Sequence, residues 1–196
     1  MPHDVEFPDR LTLLDHLPHG GIVAEIGVQR GDFAAEILRR CRPRLLLLID
    51  SWRHFSEGPY VMDKSNVSQS SHDAFYKEVC QRFRVEILLG RVLVLRGLSD
   101  DLLPMLADNW LDWVYVDADH SYNGIRRNLA DAMPKVKANG LICGHDFVDS
   151  LEQGFGVVPG VADFCETSGW EMIARTRNDR SCDGYDSYVL RHRQSS

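Results

Sequence analysis

The sequence predicts an α/β fold, a Rossmann-like three-layer sandwich around a mostly parallel sheet, and three observations carry that expectation. Short, nearly continuous apolar runs alternate with amphipathic helical segments, the pattern of parallel strands covered on both faces. Polar or glycine residues follow directly on those runs, where ligands of open parallel sheets collect. The last two runs are separated by the turn-rich segment NDRSCDG, short enough for a hairpin, so the sheet should end in an antiparallel strand.

Apolar positions in PDRLTLLDHL recur at helical spacing, and Pro18, Gly20 and Gly21 stop them; residues 1–18 are read as an N-terminal cap helix. IVAEIG then leads through a glycine turn into DFAAEILRRC, a strand, loop and helix beginning near Asp32. LLLLID and a helix near HDAFYKEVCQRF repeat the unit, with residues 54–72 between them as a candidate lid loop. RVLVLRG precedes SDDLLPMLADNW, where Ser99 is a candidate N-cap. WVYVDAD leads into NGIRRNLADAMPKV, and GLICGHD into PGVADFCETSG; WEMIARTR and YDSYVLRHR close the chain. At 196 residues this reads as a single domain.

The composition, 44% hydrophobic and 26% charged, is that of a folding chain and excludes a disordered one. A formal charge of -7 repels phosphate backbones, so nucleic acid is not expected as a partner. Arg39, Arg40, Arg42 and Arg44 form a local basic patch that reads as a solvated helix end. Cys41, Cys80, Cys143, Cys165 and Cys182 are odd in number and contain no Cys-x-x-Cys pair, which fits a reducing cytoplasm. The N-terminus shows no basic-then-apolar leader, and no apolar run approaches the ~20 residues that span a bilayer, so neither export nor a membrane is expected.

Glu25, Gly27 and Gly31 form the turn after the first of the central strands, where glycines let backbone amides approach a ligand. Glu25 stands where the dinucleotide fingerprint has its first glycine, and its charge disfavours a pyrophosphate. A cofactor with an ammonium group and a sulfonium is attracted instead, which points to S-adenosylmethionine. Asp50 ends the next strand, positioned to accept ribose hydroxyl protons, with Trp52 as a cover for adenine or for the methionine part. Leu98 and Ser99 follow the third run and suit adenine. The densest cluster is Asp117, Asp119, His120 and Tyr122, joined from the neighbouring strand by His145 and Asp146.

Through EIGVQRG, LLLLIDSW, VYVDADHSY and GLICGHDF in this order, the chain resembles the class I S-adenosylmethionine-dependent methyltransferases. The likeness is strongest to a subgroup with Asp-x-Asp-His-x-Tyr, which includes metal-dependent sugar O-methyltransferases of macrocin type. It implies a seven-stranded sheet with an antiparallel last strand, and a cofactor site of Glu25, Gly27, Gly31, Asp50, Ser99 and Asp117. It also implies a divalent metal at Asp117, His145 and Asp146. The relatives carry two acids where this chain has His145-Asp146, and imidazole favours Mn²⁺, Fe²⁺ or Zn²⁺ over Mg²⁺.

The expected activity is methyl transfer to a small-molecule hydroxyl, either with a divalent metal favouring the deprotonated hydroxyl or, without one, with His120 or Asp119 taking the proton directly. A second reading uses the same fold and cluster for hydrolysis or hydroxylation, and a third is a non-catalytic nucleotide-binding module. A homodimer is the expected assembly if the chain associates at all.

Overall fold

LLLLID and its neighbours become strands because branched and apolar side chains, projecting alternately to both faces, have a hydrophobic layer to enter on each side. The computed structural model describes residues 5–58, 61, 63–148, 155–177 and 184–193. Its strands are β1 (Val5–Phe7), β2 (Ile22–Ile26), β3 (Leu45–Asp50), β4 (Val92–Arg96), β5 (Leu111–Val116), β6 (Val136–Gly144), β7 (Trp170–Thr176) and β8 (Tyr188–His192). The helices are α1 (Arg10–Leu14), α2 (Asp32–Cys41), α3 (Gln69–Arg82), α4 (Arg84–Leu88), α5 (Ser99–Leu102), α6 (Tyr122–Ala132) and α7 (Val157–Ser168).

One sheet runs in the order β1-β7-β8-β6-β5-β2-β3-β4, and β8 alone runs against its neighbours. The mostly parallel α/β fold and its antiparallel C-terminal strand are therefore as expected. The strand number differs: the described residues form eight strands rather than seven, because the extra strand comes from the N-terminus. Val5–Phe7 pairs with Ala174–Thr176 of β7, so the region expected to be one cap helix is a strand followed by the short α1. Asp9 sets the break by accepting the Thr12 N–H at 2.6 Å as the N-cap of α1. Residues 1–4 and the hairpin loop with Cys182 lie outside the described residues.

Val23, Leu46, Leu48, Trp113 and Tyr115 pack on one face of the sheet against α1, α2 and α3. Ala24, Leu47, Ile49, Val114 and Ile142 pack on the other against α6 and α7. Leu13 and Leu14 of α1 are closed to solvent, and the Trp113 indole donates to the Pro18 carbonyl at 2.9 Å. The N-terminal segment is thus part of the core. Ser68 and Ser121 cap α3 and α6, but Ser99 caps nothing: it is the first residue of α5, whose N-cap position is Leu98. No helix among the described residues is long and apolar enough to cross a membrane.

Leu14→Ala is expected to lower the free energy of unfolding by about 2–5 kcal/mol, as for other closed core leucines. Urea denaturation measures it, and an unchanged midpoint would mean that α1 is a detachable cap.

Candidate functional site

The turn after β2 is forced close to the end of β5. Gly27 has φ +86, and a Cβ there would lie 1.8 Å from the Asp117 carbonyl oxygen. The Gly27 N–H donates to Ile49 at 2.9 Å and the Asp117 N–H to Ile26 at 2.8 Å, locking three strand ends together. Gly31, at φ +76, opens α2 and rests on the Phe83 ring. Both glycines meet conformational demands that other residues meet only with strain.

Asp50 holds this turn from the neighbouring strand. One oxygen accepts the N–H groups of Val28 and Gln29, each at 2.8 Å, and the other accepts that of Trp52 at 2.7 Å. An ionised carboxylate has about four acceptor positions, so one is left for a ligand hydroxyl. Trp52 is not the expected cover over a cofactor. Its ring is fully buried in the core, and its indole donates to the Gln29 carbonyl at 2.8 Å, bracing the turn from beneath.

Glu25 is buried at the base of the turn, and its Oε2 has no hydrogen-bond partner. Burial, then the charge of Asp117, pushes its carboxyl well above the usual range, against the pull of Arg10. Asp117 is raised as well, by burial first and by Asp146 against the pull of His145 and Arg10. Arg10, from α1, reaches Asp117 at 3.5 Å and lies over the Phe33 ring. It was not anticipated from the sequence, where it sat in the segment read as an N-terminal cap helix.

The ends of β5 and β6 bring Asp117, His120 and Asp146 together, with one potential ligand atom from each within 4.8 Å of the others. His120 Nδ1 lies 2.6 Å from Asp146 and Nε2 lies 3.5 Å from Asp63. Burial opposes the imidazolium, but these two carboxylates outweigh it and the ring is pushed up to about 10. Asp146 in turn stays low: burial works against its charge, and the hydrogen bond to His120 more than compensates. Phe155 stacks on the imidazole. Asp63 is the second unanticipated member, delivered by the segment expected to be a lid and fixed there by the Ser65 N–H and hydroxyl.

Three expected site residues have other partners than the expected ones. His145 is not in the cluster: it is buried, and its Nδ1 accepts the Asp146 N–H at 2.6 Å, so His120 replaces it in the set with Asp117 and Asp146. Asp119 is not in the cluster either. It accepts the Ser121 N–H at 2.8 Å and packs over Gly124, a turn-forming role at the start of α6. The Ser99 hydroxyl donates to Asn128 at 2.8 Å rather than standing open, whereas Leu98 is half-buried at the end of β4.

A family model described as a methyltransferase domain matches residues 24–147, which span the glycine turn through Asp146. No curated protein matches the sequence. Among solved structures, cofactor-bound Rv0187 from MTB shares the fold at a TM-score of 0.64 and 17% identity, over 94% of this chain and 79% of that one. The B. subtilis M1A22 tRNA methyltransferase TrmK gives 0.63 at 10% identity, over 97% and 68%. M. jannaschii TYW2 in complex with AdoMet gives 0.55 at 13% identity, over 94% and 75%.

Two glycines separate backbone strain from close contact. Gly20 also has positive φ, but nothing lies within 4 Å of a Cβ built on it. Gly20→Ala should therefore cost about 1–2 kcal/mol, and Gly27→Ala, which also meets Asp117, more than about 3 kcal/mol. Equal midpoints in urea would remove the contact argument.

Proposed function

The chain belongs to the methyltransferase-domain family, and on that premise we propose that it transfers a methyl group from S-adenosylmethionine to a hydroxyl oxygen of a small molecule, with a divalent metal assisting. The observation that carries this reading is the convergence of the Asp117–His120–Asp146 cluster with the turn that Asp50 holds.

The residues fit such a cofactor. Bound S-adenosylmethionine supplies an electrophilic methyl group on a cationic sulfonium. The partnerless Oε2 of Glu25 leaves a hydrogen-bonding position unfilled at this end of β2, and a cationic donor there would favour the carboxylate form that burial and Asp117 oppose. The remaining acceptor position of Asp50 suits a ribose hydroxyl, and Gly27 and Gly31 keep the turn's backbone close. Leu98 supplies an apolar contact for adenine.

Asp117, His120 and Asp146 offer two oxygens and one nitrogen, a donor set that suits Mn²⁺, Fe²⁺ or Zn²⁺ better than Mg²⁺. A metal held there would favour the deprotonated form of an acceptor hydroxyl. Metal binding there requires His120 to give up the proton that Asp63 and Asp146 hold on its ring, so a loaded site uses the neutral imidazole as ligand. The RNA named for TrmK is that protein's own substrate. Here Asp63, Asp117, Asp119 and Asp146 surround the strand ends and repel a phosphodiester, which supports a small acceptor.

Calorimetry with S-adenosylmethionine and a methyl-donor consumption assay over a panel of hydroxyl acceptors test the proposal. Asp50→Ala should weaken cofactor binding about 10–100-fold, the loss of a hydrogen bond to a charged group. His120→Ala should leave that binding within about threefold and lower turnover at least about 100-fold. If the folded protein does not bind S-adenosylmethionine, the proposal fails.

Dialysis against a chelator should abolish turnover, and Mn²⁺ should restore it better than Mg²⁺. Turnover that survives metal removal would discard the metal. Product formation without consumption of the methyl donor would instead favour hydrolysis or hydroxylation.

A further inference from the structure

A second concave site lies on the outer face of α2, where the α3–α4 turn meets it. It is a cavity of about 490 Å³ with Arg39, Arg42, Arg82 and Arg91 in its wall and one lining carboxylate, Glu86. Leu38, Pro43 and Phe83 add apolar surface. Arg42 and Arg91 stand just before β3 and β4 begin, whereas the Asp117–His120–Asp146 cluster stands where β5 and β6 end. The two sites are therefore separate.

The arginines come from three places: the end of α2, the last turn of α3 and the turn before β4. A solvated end of α2 accounts for Arg39 and Arg42, but not for the arrival of Arg82 and Arg91 in the same cavity. Their existing partners occupy only part of their capacity. Arg39 donates to Glu36, Arg82 to Asp32 at 2.6 Å, and Arg91 lies 3.6 Å from Glu86. The Arg39 and Arg91 side chains are 60% and 53% exposed, so those pairs are weak and exchangeable. Arg42 has no acidic partner among the described residues. Each guanidinium has five N–H donors in a planar fork that matches phosphate oxygens.

We propose that this cavity binds a phosphate group, carried by a free polyphosphate or by a single-stranded RNA backbone. An anion there gains charge-assisted hydrogen bonds from up to four guanidiniums. The chain's net charge of -7 makes such a concentration of arginine a local exception. The site is independent of the methyl-transfer reading.

The probes are inorganic pyrophosphate, followed by calorimetry, and a short single-stranded oligoribonucleotide, followed by fluorescence anisotropy over a range of salt. Arg42→Glu and Arg91→Glu should each weaken binding at least about tenfold. Arg193→Glu makes the same charge change at an exposed position after β8 and should leave binding within about twofold. S-adenosylmethionine binding and the thermal midpoint should hold in all three variants.

Saturable pyrophosphate binding with this pattern supports a polyphosphate ligand. Tighter, steeply salt-dependent RNA binding with the same pattern supports the backbone source. No binding of either probe overturns the proposal, and so does an equal loss in Arg193→Glu, which would report the general field rather than a site.

Discussion

One carboxylate, that of Asp50, accepts three backbone N–H groups, and the geometry of the strand ends hangs on it. It ties the turn after β2 to the end of β3 and orients the start of the segment that follows. Trp52, held by the same carboxylate at φ +41, returns a hydrogen bond to that turn through its indole. From the other side, Gly27 passes so close to Asp117 that only a glycine fits. The turn is therefore clamped between β3 and β5, and the N–H groups of Gly27, Val28, Gln29 and Gly31 are all spent within the protein on holding its backbone.

Electrostatics at this end of the sheet is deliberately unbalanced. Glu25, Asp50, Asp63, Asp117 and Asp146 meet Arg10 and His120 as nearby cations. Burial raises the cost of each negative charge, and the cluster manages it by hydrogen bonding and by the imidazolium between Asp63 and Asp146. Glu25 is the group left with an unpartnered oxygen. Burial and like charge raise Glu25 and Asp117 above the usual carboxylate range, whereas the cavity beside α2 is lined by four arginines. The protein thus separates regions of opposite sign at the two ends of its strands.

The fold was legible because alternating apolar runs and helices follow from short-range periodicity. β2 to β5, β7 and β8 fall on the runs read from the sequence, β6 starts earlier than its run, at Val136, which was read as the end of a helix, and α2 has the bounds expected for DFAAEILRRC. The N-terminus was misread because PDRLTLLDHL has helical spacing, while β1 is stabilised by pairing with β7, a contact with residues about 170 positions away. At the site, Gly27, Asp50 and Asp117 lie at strand ends and Gly31 at the start of α2, as expected, since such ends are local features. Trp52 and Asp119 were misjudged because proximity in sequence says nothing about which way a side chain turns. Burial took the tryptophan, and a tight turn took the aspartate.

The sequence by itself determined the layered α/β architecture, the antiparallel finish, the glycine turn and the acidic strand ends, all properties of residue type and spacing within single elements. Tertiary structure alone decided which side chains meet. It chose His120 over His145 as the companion of Asp117 and Asp146, and it brought in Arg10 and Asp63 from segments far along the chain. It also gathered Arg82 and Arg91 beside Arg39 and Arg42. Those choices depend on how helices and loops pack over the sheet, and packing is a property of the whole chain.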